Sequence, residues 1–420
     1  MTSAQAKTHI LILNQHGENR GDEAAMRAML ARLEEAVPGP VHFTVLYQFR
    51  DRDIRLELPQ DVQMLPIIMP ISEAASLALF ALFKKAGFEL SALLLGKSKD
   101  IVAAYRAADL VLSAPGGPYF GDIYASHEIV HWFFVWLASL YAKRLGLYAP
   151  SAGPFRKRLL NLLRRRLYKT FDVLCSREEI SADYIRELLG PGSDVHVTAD
   201  SALQVRLPAM PREEYFTNGR AELAKRFVVA VSAIDYAYPG AADPADLRRR
   251  YEEAMISLLA HVARKRESHF LLVPQLHGRF HSDVPFLREL GARLPSDLSW
   301  EIVDDSLSSD DQRRIFGMAD MFVASRYHPG IFASSAGVPG VCIYYEHKAL
   351  GFMRQLELEE LAFDIRDLDA AKLIEAADRV ITEGDALRAH IETRLPRLVA
   401  TARRTTDLVS AMITDEGRAA

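Results

Sequence analysis

Met321-Phe322-Val323-Ala324-Ser325-Arg326-Tyr327-His328-Pro329-Gly330-Ile331-Phe332-Ala333 reads as a short apolar strand running out into a helix. Residues Ile331 to Ala336 form a run of small residues closed by Gly337 and broken by Pro339, so a helix is expected there. Arg326 and His328 then sit on a tight strand-to-helix connection. Pro329 biases His328 toward an extended backbone. In open α/β sheets the crevice at the carboxyl ends of the strands is where ligands bind. A fixed guanidinium and a titratable imidazole two residues apart suit an anionic substrate that must also exchange a proton. The plain alternative is a strand-end ion pair and a core histidine.

Working outward, strand and helix patterns alternate along the whole chain. The first strand, Ile10 to Leu13, leads through Asn14-Gln15-His16-Gly17-Glu18-Asn19-Arg20-Gly21-Asp22-Glu23 into a helix reaching about Glu35. The glycines there lack the G-x-G-x-x-G spacing of a dinucleotide site, and Asp22 and Glu23 would repel a phosphate. That loop therefore suits neutral hydroxyls, although two carboxylates at a helix start also serve as caps. Further strands are expected at 41–47, 62–67, 109–114, 146–149, 172–175 and 195–198, with an apolar helix over 133–145 and a basic one over 156–169. The strand at 109–114 delivers Pro115-Gly116-Gly117-Pro118-Tyr119-Phe120-Gly121-Asp122, whose glycines admit a close backbone approach.

At 420 residues the chain exceeds one ordinary core, so two domains of roughly 200 residues each are expected. Residues 207–220, with Pro208, Pro211, Asn218 and Gly219, mark the connection, giving domains 1–206 and 221–420. The second half repeats the α/β alternation, with strands at 227–231, 270–273, 300–303, 321–324 and 341–345. Two Rossmann-like domains facing across a cleft, the GT-B type of α/β fold, is the expected architecture.

A net charge of −4 argues against a nucleic-acid binder, and 49% hydrophobic with 25% charged residues is the composition of a soluble globular protein. Cys175 and Cys342 stand in apolar strand contexts, as expected of buried thiols in a reducing compartment. No targeting segment is read at the amino end, and a cytoplasmic protein is expected. Residues 67–95 are interrupted by charges and 129–142 are too short for about 30 Å of hydrocarbon, so both read as buried helices. The first could touch a bilayer surface, whereas the basic helix over 156–169 reads as a solvated face. No metal is expected, because no element carries ligand spacing.

An ordered set of short matches resembles the polysaccharide pyruvyl transferase family. They are Asn19-Arg20-Gly21-Asp22-Glu23-Ala24, Gly116-Gly117 with Asp122, Ser151-Ala152-Gly153-Pro154, Ser176-Arg177-Glu178 and Asp200-Ser201-Ala202. Pro274-Gln275-Leu276-His277 and the run from Ser325-Arg326-Tyr327-His328 through Gly337-Val338-Pro339 to Tyr345-Glu346-His347-Lys348 complete it. The resemblance implies transfer of a pyruvyl group from phosphoenolpyruvate to a sugar, as a ketal, with no cofactor beyond that co-substrate. It implies a glycan or lipid-linked sugar acceptor, with action at the inner face of the cytoplasmic membrane as one setting.

It also places Arg326 and His328 at the donor. A guanidinium fork can hold carboxylate or phosphate, and an imidazole can protonate the enol carbon or assist the leaving phosphate. His277 and Lys348 are candidates to complete that pocket, with a core histidine and a surface lysine as the alternatives. Asn14, Asp22, Glu23 and Asp122 are the candidate acceptor-binding residues. Asp200 and Arg177-Glu178 are equally readable as a cap and an ion pair. As a donor-binding group exposed on a rigid turn, Arg326 is expected to be removable without loss of stability.

Two departures from the family pattern bear on the donor. Asp235, in Ser232-Ala233-Ile234-Asp235-Tyr236-Ala237-Tyr238, stands where many members carry an arginine, and Pro118 stands where a third glycine is common. A nucleotide-sugar glycosyltransferase, using Gly330 at a helix start and Glu346 for a ribose, is the second reading, and a non-catalytic scaffold the third.

Overall fold

The computed structural model describes residues 7–48, 58, 62–117, 120–123, 125–217, 219–278 and 281–414. Pro118 and Asn218 lie outside the described residues. The chain divides into two compact units: residues 1–17, 22–204 and 399–420 form unit 1, and residues 18–21 and 205–398 form unit 2. Two stretches thus lie with the unit other than the one their place in the chain suggests.

Unit 1 is built on seven strands: β1 Thr8–His16, β2 Val41–Gln48, β3 Val62–Pro66, β4 Leu110–Ser113, β5 Arg144–Leu147, β6 Val173–Ser176 and β7 His196–Val197. They pair in parallel in the order β3-β2-β1-β4-β5-β6-β7. Alternation along the strands divides the core between the two sheet faces. Leu11, Leu13 and Val111 face one cluster with helices Ile71–Lys85, Lys97–Ala107, Ala125–Ser139, Arg158–Tyr168 and Glu179–Leu189. Ile10, Ile12, Leu110 and Leu112 face the other, with helix Arg20–Ala36.

Helix Ala125–Ser139 corrects the expected 133–145, since Ala142 at φ 49° breaks it and the chain is already extended at Arg144. The last helix, Gly384–Thr414, belongs to unit 2 up to Leu398 and to unit 1 beyond it. Val409 and Met412 enter the unit 1 core, while Thr405 bonds Thr198 at 2.9 Å and Thr406 bonds Gln204 at 2.8 Å.

Unit 2 carries β8 Phe227–Ser232, β9 Ser268–Leu272, β10 Ser299–Ile302, β11 Met321–Ala324, β12 Gly340–Tyr344 and β13 Ala362–Asp364. Their order is β10-β9-β8-β11-β12-β13, again all parallel. In both sheets the strand order reverses beside the first strand, at β1/β4 and at β8/β11, which is where such sheets receive ligands. Helix starts follow local chemistry. Asp243 accepts the amide of Asp246 ahead of Pro244, and Ser308 accepts that of Asp311.

Helix Tyr327–Ser335 starts four residues earlier than the sequence suggests, with Arg326 as its extended N-cap. His328 is therefore helical, against the expected extended backbone. Pro329 falls in the first turn, where a missing N–H costs no intrahelical bond.

Candidate active site

In unit 2 the ends of β8, β9, β11 and β12 converge. The amide of Ser325 donates to the Ser232 carbonyl at 2.7 Å, and the Tyr251 hydroxyl donates to Ser325 Oγ at 2.8 Å while accepting from the Ile234 amide. Burial pushes the Tyr251 hydroxyl up to about 12, so it remains a neutral donor.

Arg326 Nη2 donates to Asp283 Oδ1 at 2.5 Å. The other oxygen of Asp283 accepts the amides of Gln275 and Leu276, each at 2.9 Å. His277 follows directly, and its own amide reaches the Glu18 carbonyl at 3.2 Å. Arg326 is nearly buried, with its side chain 10% exposed, so it is a paired strand-end cation rather than a solvent-facing one.

His328 is buried, its ring 4.9 Å from that of Tyr327 and 6.2 Å from that of Phe332. A Cβ placed on Gly21 would stand 1.9 Å from His328 Nδ1. Only a glycine leaves room for the imidazole, which accounts for Gly21 in the Asn19-Arg20-Gly21 motif. That motif is fixed to unit 2 by the Arg20 amide on Gln275 and by the Arg20 guanidinium on the carbonyls of Asp305 and Ser306.

Lys348 pairs with Glu346 at 2.6 Å and lies 5.8 Å from the rings of both Tyr327 and Tyr345. Burial raises the Tyr345 hydroxyl above its ordinary range, and its field is shaped by Lys348, Glu346, Arg326 and Asp283 together. The Tyr345 ring also lies 4.9 Å from that of Tyr236.

Sequence reasoning did not single out Asp283 or Arg366. The Arg366 guanidinium bonds the Tyr345 carbonyl at 3.1 Å and the Tyr236 hydroxyl at 2.5 Å, and it lies over the Tyr236 ring. Asp235 is paired with Arg248 at 3.2 Å, so its charge has a cation of its own.

Unit 1 carries the residues assigned to the acceptor. Asn14 sits at φ 63° beside a register break in β1 between Ile12 and Gln15, and its Nδ2 donates to Ser113 Oγ at 3.1 Å across the β1/β4 switch. Its buried Oδ1 has no hydrogen-bond partner among the described residues. Asp22 and Glu23 are buried in the first turn of their helix, and the Asp22 carbonyl accepts from Gln15 Nε2.

Asp122 is held from several sides. Arg164 Nη2 donates to it at 2.7 Å, and the amides of Arg156 and Lys157 donate to its second oxygen. This geometry fixes the loop and leaves little of the carboxylate for a sugar. Arg177 and Asp200 form a fully buried pair at 2.7 Å, and Glu178 caps the following helix through the Ser181 amide.

A further feature went unread in the sequence. His16, at the end of β1, and His131 bring their Nε2 atoms to 3.0 Å. One ring must donate and the other accept. Burial, then the charges of His131 and His127, hold His16 well below the usual imidazole range. Among the described residues no group of three or more His, Cys, Asp or Glu side chains is placed to hold a metal ion.

The family model for polysaccharide pyruvyl transferases matches residues 19–347. The chain belongs to the polysaccharide pyruvyl transferase family. It is thereby a transferase of polysaccharide biosynthesis. A curated relative, the amylovoran biosynthesis protein AmsJ of Erwinia amylovora, is 24% identical over 284 residues, 66% of this chain and 66% of that protein.

Among solved structures, a Listeria monocytogenes protein assigned as a UDP-N-acetylglucosamine 2-epimerase superposes with a TM-score of 0.61 at 14% identity, covering 95% of this chain and 94% of that one. The UDP-GlcNAc 2-epimerase of Neisseria meningitidis gives 0.54 at 12%, covering 98% and 100%. The α,α-trehalose 6-phosphate synthase of Burkholderia multivorans gives 0.52 at 13%, covering 99% and 100%. The two parallel-sheet α/β units are thus those of GT-B-fold enzymes.

Replacing Gly21 with alanine forces the His328 ring to move and should cost about 1–3 kcal/mol, read as a lower Tm; an unchanged Tm would mean the imidazole is loosely held. Arg326→Ala strands the Asp283 carboxylate, so the expectation of unchanged stability is revised to a loss on the order of 3 kcal/mol. Chemical denaturation should show Arg326→Ala with Asp283→Asn recovering part of it; equal losses in the single and double variants would sink the coupling. For His16 the folded value lies below the unfolded one, so stability is unaffected at neutral pH and falls as the pH drops below about 6.5, where the unfolded chain takes the proton first. His16→Gln should flatten that decline in melts taken between neutral pH and about pH 5.

Proposed function

We propose that the protein transfers a pyruvyl group from phosphoenolpyruvate to two hydroxyls of a sugar in a surface-polysaccharide precursor, forming a cyclic ketal. The observation that carries this reading is the unit 2 group around Tyr345: two cations held by carboxylates, beside an imidazole seated on Gly21. Phosphoenolpyruvate presents a carboxylate and a phosphate. Arg326 and Lys348 are the cations that hold these, and the carboxylates of Asp283 and Glu346 keep each cation in one orientation. Arg366, beside Tyr236 and Tyr345, supplies the charge that Asp235 does not. His277, next to Leu276, is assigned to complete the donor site.

In the reaction His328 protonates the enol CH2 carbon, which becomes the ketal methyl group, and positive charge develops on the neighbouring carbon. That carbon forms two C–O bonds with the sugar and loses its bond to phosphate oxygen. The two hydroxyl protons balance the one delivered to carbon and the one leaving with phosphate or solvent. On the acceptor side, in unit 1, Asn14 Oδ1 receives a sugar hydroxyl, with Asp22 and Glu23 nearby in sequence.

A cytoplasmic site of action belongs to the same proposal. Free, buried Cys175 and Cys342 agree with a reducing compartment.

A thermal-shift series tests it. Phosphoenolpyruvate at about 100 times its Kd should add about 2.7 kcal/mol to stability. Stabilisation by a nucleoside diphosphate instead would favour the nucleotide-sugar reading, and by neither ligand the scaffold. His328→Gln should keep the phosphoenolpyruvate shift and lose turnover; loss of both together would make its role binding alone.

A further inference from the structure

We propose that the outward face of helix Arg158–Tyr168 in unit 1, together with the start of helix Ala125–Ser139, docks on an anionic lipid surface. Three leucines on that helix point to solvent: Leu159 is 86% exposed, Leu162 65% and Leu163 46%. They fall at i, i+3 and i+4, on one face. The opposite face carries Arg164, Leu167 and Tyr168 into the core.

The buried Arg164 makes this a fixed feature. It donates to Glu128 through Nε and Nη2 and to Asp122 through Nη2, and Asp122 also accepts the amides of Arg156 and Lys157. Asp122 and Glu128 are followed in the chain by exposed Ile123 and 64%-exposed Ile129. Single exposed apolar residues are ordinary on a soluble surface, but three large ones on one helix face, with two more on segments that Arg164 ties to that helix, mark an interaction site.

Charge decides the occupant. Arg156, Lys157, Arg158, Arg165, Arg166 and Lys169 are all exposed around the leucines, on a chain whose net charge is −4. A second copy meeting this patch across a two-fold axis would set like charges against each other. A bilayer of anionic headgroups instead receives the leucines at the acyl boundary while the arginines remain at headgroup level. Helix Ile71–Lys85 packs on the same sheet face and exposes Ile71 and Leu82 as well, which enlarges the apolar area on that side of unit 1. The proposal does not rest on pyruvyl transfer, since no substrate enters its test.

Full-length protein is sedimented with vesicles of phosphatidylcholine and phosphatidylglycerol, and with phosphatidylcholine alone. Binding to the mixed vesicles, weakened by salt, is expected. The variant Leu159→Ser/Leu162→Ser/Leu163→Ser should keep the wild-type Tm and partition at least about tenfold less. The variant Arg158→Glu/Arg165→Glu/Arg166→Glu should lose the preference for anionic vesicles. Three outcomes overturn the proposal: no preference for anionic vesicles, undiminished binding by the leucine variant, or a dimer in light scattering that the leucine variant dissolves.

Discussion

Unit 2 depends on one buried carboxylate. Asp283 accepts the amides of Gln275 and Leu276 with one oxygen and the Arg326 guanidinium with the other. Those partners come from the segment after β9 and from the end of β11, so a single side chain sets the relative position of two strand ends. The same residues pass the constraint on. Gln275 accepts the Arg20 amide, and Arg326 caps the helix whose second residue, His328, rests on Gly21. Desolvating a carboxylate is costly, and these three donors offset it. Losing any one would loosen the whole arrangement, which favours a rigid site over an adaptable one.

Charge balance follows from that construction. Arg326 and Lys348 each have a carboxylate partner, so the pair-wise sum of the four groups is zero. A polyanionic ligand would gain little long-range attraction from such a set, and its selectivity would rest on directed N–H groups at short range. Arg366 alters this balance locally. It is half-exposed, its Nη1 is 4.0 Å from Asp364, and its nearer bonds go to a carbonyl and a phenol. Unit 1 solves its own electrostatics differently: Arg164 lies fully buried between Glu128 and Asp122. There burial raises the Glu128 carboxyl while Arg164 draws it back down, a balance suited to anchoring a loop rather than to binding an anion.

Much of the architecture was legible because buried parallel strands are short apolar runs, and Met321 to Ala324 is one whose limits coincide with β11. What escaped the sequence was non-local. Asp283 lies 43 residues from Arg326, in a stretch with no motif of its own. His16 and His131 are 115 residues apart and meet because β1 and the helix after β4 adjoin at a sheet switch. Strand β13 has three residues, too few to show a period. The last helix runs on through Pro396, and that proline does not tell that the turns beyond Leu398 belong to the core of unit 1. His328 is instructive in another way. The bias imposed by a following proline was outweighed by a helix start that places that proline where its missing N–H is harmless.

The same helix start bears on the nucleotide-sugar reading. A diphosphate at a helix N-terminus is held by the amides of the first turn. Here the third position is Pro329, which has no N–H to give, and the second is His328, whose ring is lodged against Gly21. Gly330, the residue that sequence reasoning offered for phosphate contact, is the fourth residue of the helix and buried. A Cβ there would stand 3.2 Å from Cys342 Sγ, so its small size serves the packing of that helix on β12. Similarity to enzymes of nucleotide-sugar chemistry is a similarity of fold at 12–14% identity. In its first turn this helix presents an imidazole and an imide nitrogen. An imide nitrogen in the first turn leaves a diphosphate one backbone donor fewer to bind.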